Sequence, residues 1–395
     1  MNALTSIELA TGIVLGPGSE PPAPLPAPPP GDTPFSALER VCLPALGPGP
    51  CFVSFSGGRD SSLVLAAAAS AARHAGLPPP IPVTNRFPTC AHTDETRWQE
   101  LVVAHHGLDD WVRLELTDEL DAVGEIATRG LARHGLLWPF NAHFHVPLLE
   151  EAAGGTLLTG IGGDEALGSS RWARAAAVAS GAERAVARDL PRLALLCAPV
   201  PVRRAIIARR APDPFPWLRP DAARALVRAW AADQAKQPAR LGTRLRALTA
   251  SRPIELGLGN FDLLAADAGA AVAHPLLDPR FLATLAAAGG RFGWTDRGDA
   301  MDALFHGALP APLLRRATKA RFDGAFWGPE SRALARSWDG EAADPAVVDR
   351  GALTREWAKQ EPDAHTYLLL QATWLERSTD AELDQRPVHE TVNRA

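Results

Sequence analysis

The chain has 395 residues, more than one hydrophobic core usually supports, so two packed lobes are predicted. With 46% hydrophobic and 22% charged residues and a formal net charge of −5, the composition gives no electrostatic reason to expect nucleic acid or a membrane as partner. The four cysteines show no metal-ligand spacing, and the N-terminus lacks the basic opening of a signal peptide, which predicts a cytoplasmic protein with reduced thiols.

The first predicted segment is proline-rich. The prolines of residues 17–34 are incompatible with a helix or a central strand, so residues 1–34 are expected to run extended. The folded part is expected to begin near Phe35. Strands are then predicted at 51–55, 81–84, 111–116 and 156–159, with helices near 61–73, 94–105 and 120–133 between them. This alternation predicts an α/β lobe over residues 35–172, with a parallel sheet covered by helices on both faces and ligands at the carboxyl ends of its strands. Beyond residue 172 strand signals stop, which predicts a mostly helical lobe over residues 173–395.

The first candidate site follows the first strand, where the chain reads Ser56-Gly57-Gly58-Arg59-Asp60-Ser61-Ser62 before an alanine-rich helix. Two adjacent glycines bring backbone amides close to an anion, and the helix directs its positive end at the same point. This pattern predicts a cradle for pyrophosphate. Because Asp60 would repel bare phosphates, we expect a magnesium ion to bridge it to them.

A second glycine-rich turn, Gly160-Ile161-Gly162-Gly163-Asp164-Glu165, follows the predicted strand at 156–159. Two strand ends of a parallel sheet face one crevice, so Asp60 and Asp164 could together ligate one magnesium ion on a triphosphate. The G-x-x-x-x-G-K-[ST] phosphate loop is absent from the sequence. The pair of turns therefore favours attack at the α-phosphate, with pyrophosphate leaving.

These two turns resemble the synthetase domain of the asparagine synthetase family, within the wider group of ATP pyrophosphatases that share the Ser-Gly-Gly-x-Asp-Ser turn. Residues 56–61 alone also fit lysidine, GMP and NAD synthetases, whereas residues 160–165 match the Gly-x-Gly-x-Asp-Glu turn of this family. Pro275-Leu276-Leu277-Asp278 is similar to a later Pro-Phe-Leu-Asp segment, and residues 309–322 are similar to the family's lysine-bearing segment. The resemblance spans Phe35 to Phe326.

The resemblance implies an ATP-dependent, AMP-forming ligase that activates a carboxylate as an acyl-adenylate and lets an amine attack it. Asp60, Asp164, Glu165 and Lys319 are the implied catalytic residues, with Asp60 and Asp164 as the Mg²⁺ ligands. Lys319 is one of only three lysines among 40 basic residues, which favours a chemical role for it. The remaining residues expected to hold ATP, in part through their backbone, are Ser54, Phe55, Ser56, Gly57, Gly58, Arg59, Ser61, Ser62, Val83, Gly160, Gly162 and Gly163.

Two positions depart from glutamine-dependent asparagine synthetases. Residue 2 is Asn where those enzymes carry a catalytic cysteine, so we expect no ammonia from glutamine by that route. Ile161 stands where they have glutamate and where β-lactam synthetase has tyrosine, and an alkyl group accepts no proton. Glu165 and Asp267 remain as candidate bases. We therefore expect a product other than asparagine, formed in natural-product biosynthesis from small-molecule or peptide carboxylates and amines, with partner proteins of that pathway.

Three alternatives stay open at this point. Arg316 and the residues after it, up to Phe322, are similar to the corresponding segment of lasso-peptide cyclases, which form a macrolactam. The first turn also fits an ATP pyrophosphatase that modifies RNA, and a non-catalytic scaffold would retain the same fold. Residues 138–145 are a candidate lining of the acceptor or acyl pocket. Their His143-x-His145 pair has no further ligand at zinc spacing, so zinc is not favoured, and support of the sheet and contact with substrate stay equally open.

Overall fold

The computed structural model describes residues 4–47, 49–181, 183–211, 215–316 and 320–384. Its centre is a five-stranded sheet with the strand order β3-β2-β1-β4-β5, in which every neighbouring pair is parallel. The strands are β1 (Cys51–Ser54), β2 (Ile81–Arg86), β3 (Val112–Glu115), β4 (Thr156–Leu158) and β5 (Ala271–Ala273). The chain moves outward from β1 to β2 and β3, and then returns to place β4 on the other side of β1. The order therefore reverses between β1 and β4, which is where open α/β sheets bind ligands.

Helices account for most of the remaining described chain. In the first half they are α1 (Ser6–Thr11), α2 (Pro34–Cys42), α3 (Arg59–Ala75), α4 (Thr96–His106), α5 (Glu125–His134), α6 (Val146–Glu151) and α7 (Gly163–Leu167). After residue 172 they are α8 (Ala173–Ala179), α9 (Leu190–Cys197), α10 (Val200–Arg209), α11 (Pro220–Lys236), α12 (Leu241–Thr249), α13 (Arg252–Ala268), α14 (Pro279–Ala288), α15 (Arg297–Phe305), α16 (Ala311–Leu314), α17 (Pro329–Ser337), α18 (Arg350–Trp357) and α19 (Tyr367–Asp384).

Both faces of the sheet are covered, because successive strand residues point to opposite sides. Val53 and Leu158 pack with the apolar residues of α3, whereas Phe52 and Leu157 pack on the other side with residues of α6 and α13. All four strand residues are buried. The predicted parallel sheet with helices on both faces, followed by a mostly helical region, is confirmed.

Two parts of the sequence prediction are wrong. A fifth strand, β5, pairs with β4, although no strand was expected beyond residue 172; its Ala-Val-Ala sequence is too short and too weakly β-forming to be recognised. The first 34 residues are not extended throughout, because Thr5 and Glu8 form a capping box that starts α1. The carbonyl of Ala10 in α1 accepts a hydrogen bond of 2.8 Å from the Trp217 indole, which ties this helix to the fold.

The predicted helix at 120–133 begins later, at Glu125, because the preceding residues form a turn around the buried Asp121. The Asp121 carboxylate accepts backbone hydrogen bonds from Val123, Glu330 and Ser331 at 2.9 to 3.2 Å. The same side chain therefore fixes the start of α17, in the C-terminal part of the chain, against the α/β part.

Candidate active site

A cavity of about 350 Å³ opens at the carboxyl ends of β1 and β4, at the reversal of strand order. Residues from both halves of the chain line it, namely Ser54, Ser56, Gly58, Arg59, Asp60, Ser61, Glu95, Asn141, Phe144, His145, Thr159, Gly160, Ile161, Asp164, Arg297, Arg316, Ala320, Phe322 and Phe326. Both glycine-rich turns singled out in the sequence therefore meet at one cavity.

The first turn joins β1 to α3. Gly57 has φ +78°, in the left-handed region where side chains are strained, and a Cβ there would lie 2.8 Å from Cγ of Gln99. The Ser61 hydroxyl accepts a hydrogen bond of 3.2 Å from the Ser56 amide and donates one to the Gly58 carbonyl, which holds the turn in shape. The amides in the first turn of a helix have no partner within that helix, and the residues at the start of α3, from Gly58 to Ser61, line the cavity, as an anion site requires.

The second turn packs directly against the first. A Cβ on Gly160 would lie 2.8 Å from the backbone nitrogen of Ser61, and one on Gly163 would lie 2.3 Å from Cγ of Asp60. Both distances are too short for real side-chain contacts, so only glycine lets the two turns approach this closely. This interlocking brings the first turn of α7, with Asp164, beside the first turn of α3, with Asp60.

The two aspartates are joined by Arg297, a residue that sequence reasoning missed. One terminal nitrogen of its guanidinium, Nη2, pairs with Asp60, and the other, Nη1, pairs with Asp164. Burial disfavours the charge on Arg297, but the two carboxylates outweigh burial and raise the pKa of the guanidinium. Asp296 accepts hydrogen bonds from the Gly298 and Asp299 amides and so caps α15, which fixes the backbone from which Arg297 reaches the site.

These two carboxylates suit magnesium, which prefers oxygen ligands and keeps several water or phosphate oxygens in its shell. Within the described ranges, no group of three or more His, Cys, Asp or Glu side chains could hold a metal ion. Asp60 and Asp164 would therefore supply only part of an octahedral shell, and phosphate oxygens and water would complete it.

Glu165, predicted as catalytic, does not line this cavity. It lines a second cavity of about 530 Å³ that shares Asp164 with the first. Burial, followed by the negative charges of Asp164 and Asp60, raises the pKa of Glu165. A carboxylate with a raised pKa takes up a proton more readily than an ordinary glutamate does, as a general base requires.

The predicted nucleotide-binding residues divide into two groups. Those that line the cavity are Ser54, Ser56, Gly58, Arg59, Asp60, Ser61 and Gly160; those that do not are Phe55, Gly57, Ser62, Val83, Gly162 and Gly163. Val83 is fully buried and its carbonyl accepts a 2.8 Å hydrogen bond from the Phe55 amide, so both serve the sheet. Gly162, at φ +90°, packs on Leu277 and shapes the second turn. Lys319 lies outside the described residues.

A buried ion pair between Arg316 and Glu95 forms another wall of the cavity. The two side chains are only 5% and 7% exposed. The Arg316 guanidinium also donates to the Gly57 carbonyl at 3.3 Å and lies 5.0 Å from the ring centre of Trp98. Arg316 thereby links the segment that precedes Lys319 to the first turn. Nothing in the sequence singled out Glu95, because its partner is far along the chain.

An aromatic wall faces the charged side of the cavity. Phe144 lies 5.8 Å from Phe322 and 6.2 Å from Phe326 between ring centres, so the α/β part and the C-terminal part each contribute to it. His145, from the segment predicted to line the acyl or acceptor pocket, and Ile161 also line the cavity. Burial, followed by the neighbouring His274 and His143, lowers the pKa of His145 to about 3, so its ring is neutral.

Two other candidates have structural roles. His143 is buried, and its ring nitrogens lie 3.2 Å and 3.0 Å from the carbonyls of Phe140 and Leu120. Asp267 pairs with Arg133 at 3.1 Å and with His134 at 2.7 Å, away from the cavity, and so joins α5 to α13. Asp267 therefore does not line the cavity, whereas Glu165 lies beside Asp164.

A parallel sheet with a cavity where the strand order reverses, and with two interlocked glycine-rich turns that each carry an aspartate, defines an α/β fold like that of the ATP pyrophosphatases. The family model for asparagine synthase matches residues 47–383, and the chain therefore belongs to the asparagine synthase family, a family of ATP-dependent amide-forming ligases. A search of curated proteins finds no match. No helix in the part of the chain that the structure describes is long and apolar enough to cross a membrane.

Proposed function

We propose that this protein adenylates a carboxylate with ATP and joins it to an amine, releasing AMP and pyrophosphate, in natural-product biosynthesis. The observation that carries the proposal is the meeting of Asp60 and Asp164 at one cavity, where a single guanidinium contacts both. Two carboxylates that line the same cavity as the first turn of α3 suit a magnesium ion bound to ATP at the cavity mouth.

In the first step, a carboxylate oxygen attacks the α-phosphorus of ATP, and the bond from that phosphorus to the bridging oxygen breaks. The turn at residues 56–61 and the first-turn amides of α3 hold the departing pyrophosphate, on which negative charge accumulates. Magnesium held by Asp60 and Asp164 would neutralise part of that charge when bound. Arg59, which lines the cavity beside them, adds positive charge from the protein itself.

In the second step, the amine nitrogen attacks the acyl carbon, the bond to AMP breaks, and the amine loses a proton. Ile161 lines the cavity but accepts no proton, so the base must be another group. We assign this role to Glu165, which lines the adjoining cavity that shares Asp164 with this one, and whose pKa is raised by burial and then by Asp164 and Asp60. The aromatic wall of Phe144, Phe322 and Phe326 would exclude water and protect the activated acyl group from hydrolysis.

A second candidate is closure of a macrolactam within one peptide, which uses the same adenylation step. Ala320 and Phe322, from the segment that resembles lasso-peptide cyclases, line the cavity and favour this candidate. The mass of the product distinguishes the two, because macrolactam formation removes one water from a single peptide whereas ligation joins two molecules.

Exchange of labelled pyrophosphate into ATP tests the proposal, because reversible adenylation of a carboxylate produces exchange that depends on that carboxylate. We expect exchange that depends on magnesium and on one class of carboxylate in a panel of amino acids, hydroxy acids and peptides. Asp164→Asn should lower exchange by about a hundredfold or more, since it removes charge stabilisation from the transition state. Asp221→Asn, on the exposed surface of α11, is the matched control and should not change it. Exchange that persists unchanged in Asp164→Asn would reject the assigned site.

A further inference from the structure

Arg297 occupies the place between the two carboxylates that a magnesium ion would need. Its two terminal nitrogens pair separately with Asp60 and Asp164, and its side chain is only 20% exposed. The inner nitrogen, Nε, is buried without a hydrogen-bond partner. The guanidinium is therefore held by the two aspartates.

A guanidinium and a divalent cation compete for the same carboxylate oxygens. The guanidinium already occupies Oδ1 of Asp60 and Oδ1 of Asp164, and a second cation held by the same two carboxylates would be repelled by it, so a metal ion binds there more weakly while Arg297 is in place. The side chain of Arg297 has somewhere to go when it is displaced, since it lines the same cavity as Ser56 and Gly58 of the predicted phosphate cradle. The planar guanidinium can donate two N–H groups to one phosphate there, as it commonly does to a carboxylate.

The backbone that carries Arg297 is fixed, so the exchange needs only a side-chain movement. Asp296 caps α15, and Ala300, Met301 and Phe305 of the same helix are fully buried. Arg297 is the first residue of this helix, and its long flexible stem lets the charged end shift while the helix stays in place.

We propose that Arg297 occupies the cation position in the nucleotide-free enzyme and moves to the phosphates when ATP arrives with its magnesium ion. This inference rests on the proposed nucleotide site. If Arg297 moves in this way, metal binding depends on nucleotide. Without ATP, a metal ion must displace the Arg297 guanidinium from the two aspartates while no phosphate is present to pair with it. The enzyme then avoids loading a metal ion in the absence of ATP.

Binding of Mn²⁺ alone, measured by electron paramagnetic resonance without nucleotide, tests the inference. Arg297→Ala should bind Mn²⁺ about tenfold more tightly than the wild type, which corresponds to about 1.4 kcal/mol. A larger gain is not expected, because Arg59 stays near the two aspartates and its positive charge still opposes a cation. Arg297→Lys keeps the charge and should remain close to the wild type. Arg224→Ala, which removes an exposed arginine paired with Asp221, is the matched control and should leave Mn²⁺ binding unchanged.

Equal or weaker Mn²⁺ binding by a folded Arg297→Ala would overturn the inference. Circular dichroism checks the fold, and Arg297→Gln carries the same expectation if the alanine variant does not fold. In a parallel titration with ATP and Mg²⁺, Arg297→Ala should bind ATP about tenfold more weakly, because the phosphate contact is lost. Unchanged ATP affinity would contradict the proposed movement to phosphate. Failure of the wild type itself to bind ATP would instead reject the proposed function.

Discussion

Gly160→Ala tests whether the two turns depend on their close contact. The added Cβ would lie 2.8 Å from the Ser61 nitrogen and 3.1 Å from both the Asp60 carbonyl carbon and the Ser61 Cα. These are backbone atoms at the start of α3, so no side-chain rotation relieves the overlap. Overpacking typically costs about 1–3 kcal/mol, and a contact with fixed backbone belongs in the upper half of that range, about 2–3 kcal/mol.

Urea denaturation measures this loss as a lower transition midpoint with an unchanged slope. The matched control is Gly242→Ala in α12, where the added Cβ would lie 3.6 Å from that of Ala286, an ordinary contact. This control should change stability by no more than about 1 kcal/mol, toward stabilisation. ATP affinity should also fall by about tenfold or more in Gly160→Ala, because the separated turns no longer share one cavity mouth. A variant as stable as the wild type, with unchanged ATP affinity, would refute the interlocking.

Three other groups around the cavity are expected to respond to substitution or to pH. Glu95→Gln removes the negative partner of the buried Arg316 and should lower the free energy of unfolding by about 3 kcal/mol, measured in urea; an unchanged midpoint would speak against the ion pair. Burial, His274 and His143 lower the pKa of His145 to about 3. Between about pH 6.5, the ordinary histidine pKa, and about pH 3, His145 is therefore protonated in the unfolded chain and neutral in the folded chain. The urea midpoint should therefore fall as the pH decreases from about 7 to about 5, and His145→Gln should reduce the fall; an equal fall in the variant would contradict this origin. Since the pKa of Glu165 is raised by burial, Asp164 and Asp60, activity that needs its deprotonated form should increase with pH through that raised pKa. Glu165→Gln should remove this acidic limb from the profile of kcat/KM, and a retained limb would assign it to another group.

The fold could be predicted largely from the sequence, because β1 and β4 are mostly apolar, β3 alternates apolar and charged residues, and helices and turns separate the strands. β5 could not, since a single valine between two alanines is too short a signal, and the segment pairs because β4 presents an open edge to it. The helix α1 carries a local signal, the Thr5 and Glu8 capping box, but its place in the fold depends on contacts with distant residues such as Trp217.

The candidate site could be predicted where glycines and aspartates follow a strand directly. The sequence located Asp60 and Asp164, because the chemistry of phosphate binding requires a turn with that composition. It did not locate Arg297 or Glu95, which have no local pattern and acquire their partners only when the chain folds. It also predicted that Val83, through its backbone, and Gly162 help to hold ATP. In the structure neither residue lines the cavity; Val83 pairs within the sheet and Gly162 shapes the second turn.

The central claim is that this enzyme breaks ATP at the α-phosphorus. Phosphorus NMR of a complete reaction, containing ATP, Mg²⁺, the carboxylate that supports exchange and an amine, identifies the products directly. We predict AMP and pyrophosphate in equal amounts, matched by amide, with no product above background in Asp60→Asn. Formation of ADP and inorganic phosphate would contradict the proposed chemistry.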